Sequence, residues 1–143
     1  MATISQHTLP KSARLKSRQL IEELFKQGKG FTAFPVKVVY SMVPANSRLV
    51  GPVGTAAAEA VQAGVSVSAR IFKHATDRNR IKRLLREAYR QQKQPLLEAA
   101  RNKGLLLTVF FIYVDKPLPA YPLLQDKMRY CLKRLRKIVE EQP

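Results

Sequence analysis

The chain has 143 residues, of which 45% are hydrophobic, so it has the length of one domain and enough apolar material for one core. Its 26 Lys and Arg residues outnumber 10 Asp and Glu residues, which gives a formal net charge of +16. These positive charges repel one another in the folded state and do not stabilise it, so their excess favours a polyanionic partner. The single Cys131 excludes a disulfide framework and a cysteine-based zinc site.

The sequence shows no feature that would bind a membrane. Its first residues lack the apolar region of a signal peptide. The longest apolar run, Leu105 to Val114, is too short to cross a bilayer. A lone cysteine is also typical of a reducing compartment. Together these features predict a cytoplasmic protein without a membrane partner.

The first elements follow from apolar spacing and from turn-forming residues. Residues 1–10 are polar and end at a proline, which predicts a flexible arm ahead of a single domain over residues 11–143. A helix is predicted from the N-cap Ser17 to Gly28. Its apolar face consists of Leu20, Ile21, Leu24 and Phe25. The β-branched residues at 36–43 predict a strand.

The remaining elements alternate between strands and helices. Residues 46–64 are rich in Gly, Pro and Ala and predict a hairpin loop. The pattern then predicts a strand over 65–69, a helix over 77–94, a buried strand over 105–114 and a helix over 123–140. This order of one helix, two or three strands, a helix, a strand and a helix indicates an α+β domain.

The predicted helix over residues 77–94 carries its positive charge on one side. At about 100° per residue, Ile81, Leu84, Leu85 and Ala88 form a narrow apolar stripe. The opposite face holds Asn79, Lys82, Arg83, Arg86, Arg90 and Lys93. A charged face is usually only solvated, but like charges one turn apart, as at Arg86 and Arg90, destabilise an isolated helix. Because Arg also presents a planar fork that matches phosphate oxygens, we interpret this face as phosphate-binding.

No motif predicts catalysis by the protein itself. The sequence lacks a Gly-rich phosphate loop, a paired-carboxylate motif and a nucleophile elbow. Asp77 is interpreted as the N-cap of the basic helix, and Cys131 as a core residue of the last helix. Neither catalytic residues nor metal ligands are therefore predicted.

Two stretches carry a family resemblance. Residues 64–70, with the sequence GVSVSAR, and residues 77–90, with the sequence DRNRIKRLLREAYR, resemble the protein subunit of bacterial ribonuclease P. Within them, Arg78-Asn79-Arg80 matches the RNR motif of that family. Arg14-Leu15-Lys16 and the helix end at 24–28 also match, so the resemblance spans about residues 9–139.

The resemblance implies both a fold and a function. The fold is a single two-layer α+β domain of order α-β-β-β-α-β-α, whose mostly antiparallel sheet contains a left-handed βαβ crossover. The function is to bind a catalytic RNA and the 5′ leader of precursor tRNA, and so to assist Mg²⁺-dependent endonucleolytic removal of the leader. The RNA subunit would carry the chemistry and bind most of the Mg²⁺, and no protein partner would be required.

The resemblance also implies two binding surfaces. The catalytic RNA is expected to contact the basic helix and the preceding loop at Arg70, Lys73, Arg78, Asn79, Arg80, Lys82, Arg83, Arg86 and Arg90. The leader is expected in a cleft between the first helix and the sheet, at Ile21, Phe25, Lys37, Val38 and Tyr40. Simpler interpretations stay open: Asn79 as a residue that only faces solvent, and Ile21 and Phe25 as core residues.

Two other functions stay open as alternatives. Basic composition alone suits a ribosome-like structural RNA-binding protein with no part in cleavage equally well. The RNR context and the aromatic residue on the first helix favour the ribonuclease P subunit instead. A membrane-surface protein fits poorly, because the apolar stripe of the basic helix is narrow and lacks Trp or Phe anchors.

Overall fold

The computed structural model describes residues 14–44 and 60–143. Over those residues the chain forms four helices and four strands. Their bounds are α1 Arg18–Gln27, β1 Lys29–Ala33, β2 Val36–Pro44, β3 Val61–Val67, α2 Ala75–Gln92, α3 Gln94–Lys103, β4 Leu105–Tyr113 and α4 Tyr121–Glu140. The arm predicted over residues 1–10 and most of the loop predicted over 46–64 lie outside the described residues.

The four strands form one mixed sheet in the order β1-β2-β4-β3. Strand β2 pairs antiparallel with both β1 and β4, whereas β3 and β4 run parallel. This arrangement confirms the α+β class and the mostly antiparallel sheet. Helices α2 and α3 form the connection between the parallel strands, and the left-handedness of that connection stays a prediction from the resemblance.

The two faces of the sheet are covered unequally. Helices α2, α3 and α4 pack on one face and enclose the main core. Helix α1 covers part of the other face, where Leu20 and Leu24 pack against Leu106. Successive strand residues point to opposite faces, so Val38 contributes to the main core while its neighbour Val39 packs under α1.

Several elements differ from the sequence-based prediction. Helix α3 was not predicted, because Pro95 was interpreted as a stop. Proline lies instead in the first turn of α3, where its missing N–H leaves no hydrogen bond unmade. Helix α3 then ends at Gly104, whose φ of 65° is left-handed and suits glycine. Strand β1, which the residue pattern did not locate, supplies the third strand before α2 that the resemblance implied. Strand β3 begins at Val61, inside the stretch predicted as a loop.

Candidate nucleic-acid interface

Helix α2 presents the predicted basic face to solvent. Its buried side chains are Ile81, Leu85, Ala88 and Tyr89, which pack into the main core. Because a helix turns about 100° per residue, the opposite side is left to the polar residues. Asn79, Arg80, Arg83 and Arg86 are exposed, and Lys82 and Arg90 are half-buried. We call Asn79, Lys82, Arg83, Arg86 and Arg90 the α2 face.

One cation of the α2 face is paired within the chain. Nη2 of Arg90 lies 2.6 Å from Oε2 of Glu87, and its Nε donates a second hydrogen bond to Oε1. The hydrogen bonds to Glu87 raise the pKa of Arg90. Over the described residues neither Arg83 nor Arg86 has a carboxylate partner of this kind. Two guanidinium groups at the centre of the face are therefore available to an external anion.

A further cation reaches the α2 face from the N-terminal segment. Arg14 forms an isolated parallel bridge with Ala63 of β3, and the next residue, Leu15, donates its backbone N–H to the Ala63 carbonyl at 3.0 Å. This pairing brings Arg14 close to Arg86. Partial desolvation of its otherwise exposed side chain lowers the pKa of Arg86, and the positive charge of Arg14 lowers it further. Arg14 was not among the predicted site residues.

The loop before α2 is held in place by Arg78. Its Nη1 donates to the backbone carbonyl of Phe72 at 2.7 Å and to that of Lys73 at 3.0 Å. The ring of Phe72 is buried in the core and anchors the same loop. Arg78 was predicted to contact RNA directly, but the structure uses part of its guanidinium to position the loop. Arg70 and Lys73 on that loop are exposed.

The start of α2 also differs from the prediction. Asp77 was interpreted as the N-cap, but the N-cap residue is His74, whose side chain makes no capping hydrogen bond. Asp77 lies in the first turn of the helix instead. A carboxylate there interacts favourably with the positive end of the helix dipole.

An exposed aromatic ring on α1 lies against a half-buried one on the sheet. Phe25 on α1 is 53% exposed, and its ring centroid lies 5.2 Å from that of Phe110 on β4. Phe110 in turn lies against the backbone of Gly64, where an added Cβ would stand 2.1 Å from the ring. Ile21 packs beside these residues at the edge of the α1 core. The exposed ring of Phe25 argues against a purely core role for this residue.

The pairing register identifies the rest of this cleft. Phe110 pairs with Val39 on one side and Gly64 on the other. In the next row on the same face, Ile112 pairs with Lys37 and Ser66. Lys37 is exposed, and Ile112 and Ser66 are half-buried. We call the surface formed by Ile21, Phe25, Lys37, Ser66, Phe110 and Ile112 the α1 cleft.

Two predicted cleft residues lie elsewhere. Val38 is 0% exposed and belongs to the main core, on the face of the sheet that α1 does not cover. Tyr40 lies in the same core, with its ring 6.2 Å from that of Phe31. Neither can line a cleft beneath α1. The resemblance had implied both residues together with Lys37, but alternation along β2 puts Val38 and Tyr40 on the opposite face from Lys37.

Comparison with known proteins decides the family. A family model described as Ribonuclease P matches residues 9–136. This chain belongs to the ribonuclease P protein family. The ribonuclease P protein component of Porphyromonas gingivalis is 35% identical over 127 residues, covering 89% of this chain and 85% of the relative. That of Chlorobium phaeobacteroides is 30% identical over 143 residues, covering 95% and 93%.

Solved structures agree with this assignment at the level of the fold. The RNase P protein of Staphylococcus aureus superposes with a TM-score of 0.59 at 21% identity, covering 87% of this chain and 95% of that one. The RNase P protein of Thermotoga maritima gives a TM-score of 0.60 at 21% identity, covering 85% and 96%. The function is accordingly that of the protein component of ribonuclease P, an endoribonuclease complex of tRNA 5′ processing with an RNA partner.

Residues 14–44 and 60–143 offer neither a membrane span nor a cluster of metal-binding side chains. No helix in those ranges is both long and apolar enough to span a membrane. The same ranges contain no group of three or more His, Cys, Asp or Glu side chains placed to hold a metal ion.

Proposed function

We propose that the α2 face docks on phosphates of the catalytic RNA of ribonuclease P, while the α1 cleft binds the single-stranded 5′ leader of precursor tRNA. Arg83 and Arg86 support the docking of the α2 face on RNA, because both are exposed and neither has a carboxylate partner among the described residues. Arg14 strengthens the positive potential beside Arg86. The proposal includes a cytoplasmic location, where bacterial precursor tRNAs are transcribed.

The chemistry of the α2 face suits a folded RNA. Side chains that neutralise phosphates release condensed counterions, which makes binding strong and salt-dependent. A-form RNA is recognised mainly through its shape, phosphates and 2′-hydroxyls, so the face needs no sequence code. The exposed amide of Asn79 lies among the cations of the α2 face and can both donate and accept hydrogen bonds.

The α1 cleft has the composition of a single-strand binding surface. Bases stack on aromatic side chains with little sequence preference, which suits leaders of varied sequence. The tilted rings of Phe25 and Phe110 offer that surface. Exposed Lys37 lies in the adjacent row, where it can neutralise a backbone phosphate.

Mg²⁺ bound mainly by the RNA would supply the activated water for phosphodiester hydrolysis. The protein promotes this hydrolysis only through the positive charge that it brings to the RNA. Cations of the α2 face reduce repulsion between RNA segments brought together near the reacting phosphate. The particle should therefore need less Mg²⁺ than the RNA by itself.

The test is leader removal by a reconstituted particle. We expect the chain, mixed with the catalytic RNA of its host, to release the leader from precursor tRNA at a Mg²⁺ concentration where the RNA alone is nearly inactive. Heat-unfolded protein is the control for non-specific effects of a polycation. If the folded protein shifts the Mg²⁺ requirement no further than the unfolded one does, the proposal fails.

A further inference from the structure

Helix α4 carries a second cationic surface, away from the α2 face. The helix contains six Lys and Arg residues and two acidic residues. Its apolar side, including Met128, Leu132 and Leu135, is buried in the main core. The exposed side is lined along an open groove of about 520 Å³ by Tyr130, Lys133, Arg134, Arg136, Lys137 and Glu140. We call Tyr130, Lys133, Arg134 and Lys137 the α4 surface.

The acidic residues of α4 do not neutralise this surface. Asp126 pairs with Arg129 at 2.9 Å, and Glu140 pairs with Arg136 at 3.0 Å. Over the described residues no ion pair involves Lys133, Arg134 or Lys137. Lys133 and Lys137 are four residues apart, a spacing at which like charges destabilise a helix. An external polyanion bound to this surface would relieve the repulsion between these two lysines.

Arg134 is held in a defined position. Its guanidinium carbon lies 4.4 Å from the centroid of the Phe31 ring, and its Nη1 lies 3.4 Å from the hydroxyl oxygen of Tyr130. The cation–π contact orients the guanidinium and limits the entropy lost on binding. Tyr130 is 50% exposed. A fixed guanidinium beside an exposed aromatic ring, flanked by two lysines, suits a nucleic-acid strand better than an acidic peptide, because bases stack on aromatic rings.

The α4 surface and the α2 face lie toward opposite edges of the sheet. Arg134 rests on Phe31 of β1, at one edge. Arg86 lies near Arg14, which bridges to Ala63 of β3 at the other edge. Three strand spacings of about 4.8 Å separate β1 from β3, or about 14 Å. Because the two basic surfaces lie over opposite edges of the sheet, each can contact a different RNA segment.

We propose that the α4 surface binds the sugar-phosphate backbone of a second RNA segment of the ribonuclease P particle, distinct from the segment on the α2 face. The inference rests on the proposed function, since it takes the catalytic RNA as the partner. The protein then bridges two parts of the folded RNA. Tyr130 provides a stacking surface at the contact, and Lys133, Arg134 and Lys137 neutralise phosphates.

The test maps both contacts on the catalytic RNA by tethered cleavage. An iron chelate is attached to the full chain through Arg83→Cys in one variant and Lys137→Cys in another, and each removes one cation. The wild-type chain treated identically gives the background, because burial raises the pKa of its only thiol, Cys131, to about 12. We expect strand cleavage above background from both positions, in two sets of nucleotides that do not overlap.

Three other outcomes would show which of the claims is wrong. Cleavage from position 83 with only background from position 137 overturns the α4 proposal and leaves the proposed function standing; an acidic protein partner for α4 would give this result. Background from both positions overturns the proposed function as well. Overlapping sets from the two positions overturn the bridging claim, because one segment would then touch both surfaces.

A salt titration provides a second measurement that needs no chelate. The double variant Lys133→Ala with Lys137→Ala should lower the slope of log affinity against log salt by about 1–2 for the catalytic RNA. The matched control, Arg101→Ala with Lys103→Ala, removes the same charge from the end of α3. An equal change in slope for both double variants would overturn the proposal, because it would reflect net charge only.

Discussion

The ring of Phe110 occupies the space in which a side chain at Gly64 would stand, with a built Cβ only 2.1 Å from the ring. Gly64 thus lets Phe110 lie low on the sheet, within contact of Phe25. The glycine on β3 and the exposed ring on α1 are linked through one side chain of β4. The shape of the α1 cleft depends on this relationship.

Replacing Gly64→Ala should distort the cleft. Because the new methyl group must displace the Phe110 ring, we expect a loss of about 1–3 kcal/mol in the free energy of unfolding, measured by urea denaturation. Leader binding should weaken at the same time. Ser66→Ala, two residues along the same face of β3, is the control for stability only, and it should change the free energy of unfolding by no more than about 0.5 kcal/mol. Equal stability of Gly64→Ala and wild type would show that the ring moves without cost.

Replacing Phe25→Ala separates stacking from packing. Loss of a stacked base should cost about 1–3 kcal/mol in binding of precursor tRNA by the particle, while mature tRNA, which has no leader, binds as before. The measurement is the ratio of the two dissociation constants. Val38→Ala removes a fully buried side chain on the other face, and it should lower stability without changing that ratio. An equal loss for both tRNAs in Phe25→Ala would mark Phe25 as a packing residue.

The positions of the α1 cleft and α2 residues show how much of the site the sequence could predict. Helical periodicity identified the solvent-exposed side of α2 correctly, because buried and exposed positions on a helix follow directly from spacing. It placed Phe25 on the apolar face of α1, where the structure leaves the ring 53% exposed. The residue pattern at 36–43 predicted strand β2 correctly, yet it could not show that Val38 and Tyr40 face the main core and not α1. Phe110 was missed for the same reason: β4 is apolar on both faces, so its sequence does not separate them.

Contacts between residues far apart in the sequence were the other feature of the site that the sequence could not predict. The approach of Arg14 to Arg86 depends on a bridge to Ala63, about fifty residues along the chain, and nothing local to either arginine predicts it. Likewise, charge alone did not distinguish Arg78, which holds the loop carbonyls of Phe72 and Lys73, from the arginines that face solvent.

Replacing Arg78→Lys tests that distinction. Lysine keeps the charge but lacks the planar fork that donates to two carbonyls at once, so the loop before α2 should loosen. We expect faster proteolysis within residues 70–74 and weaker binding of the catalytic RNA, with an unchanged slope of log affinity against log salt. Arg83→Ala is the comparison and should lower that slope by about one while the loop stays protected. A reduced slope in Arg78→Lys would place its guanidinium on a phosphate instead.

The Cys131 thiol should be unreactive in the folded chain. Burial raises its pKa from 9.0 to about 12, and the thiolate is the reactive form. Labelling by an aromatic disulfide at pH 8 should be slow in buffer and fast in urea. Above about pH 9 the unfolded chain loses the thiol proton before the folded chain does, so the free energy of unfolding should fall as pH rises toward 12. Fast labelling in buffer would contradict the buried position.

The central claim is that the α2 face lies on RNA phosphates, and the salt dependence of binding tests it most directly. For the catalytic RNA, the slope of log affinity against log salt should fall by about 1–2 when Arg83→Ala and Arg86→Ala are combined. It should change much less when Arg101→Ala and Lys103→Ala remove the same charge elsewhere. An unchanged slope in the α2 double variant would contradict the account.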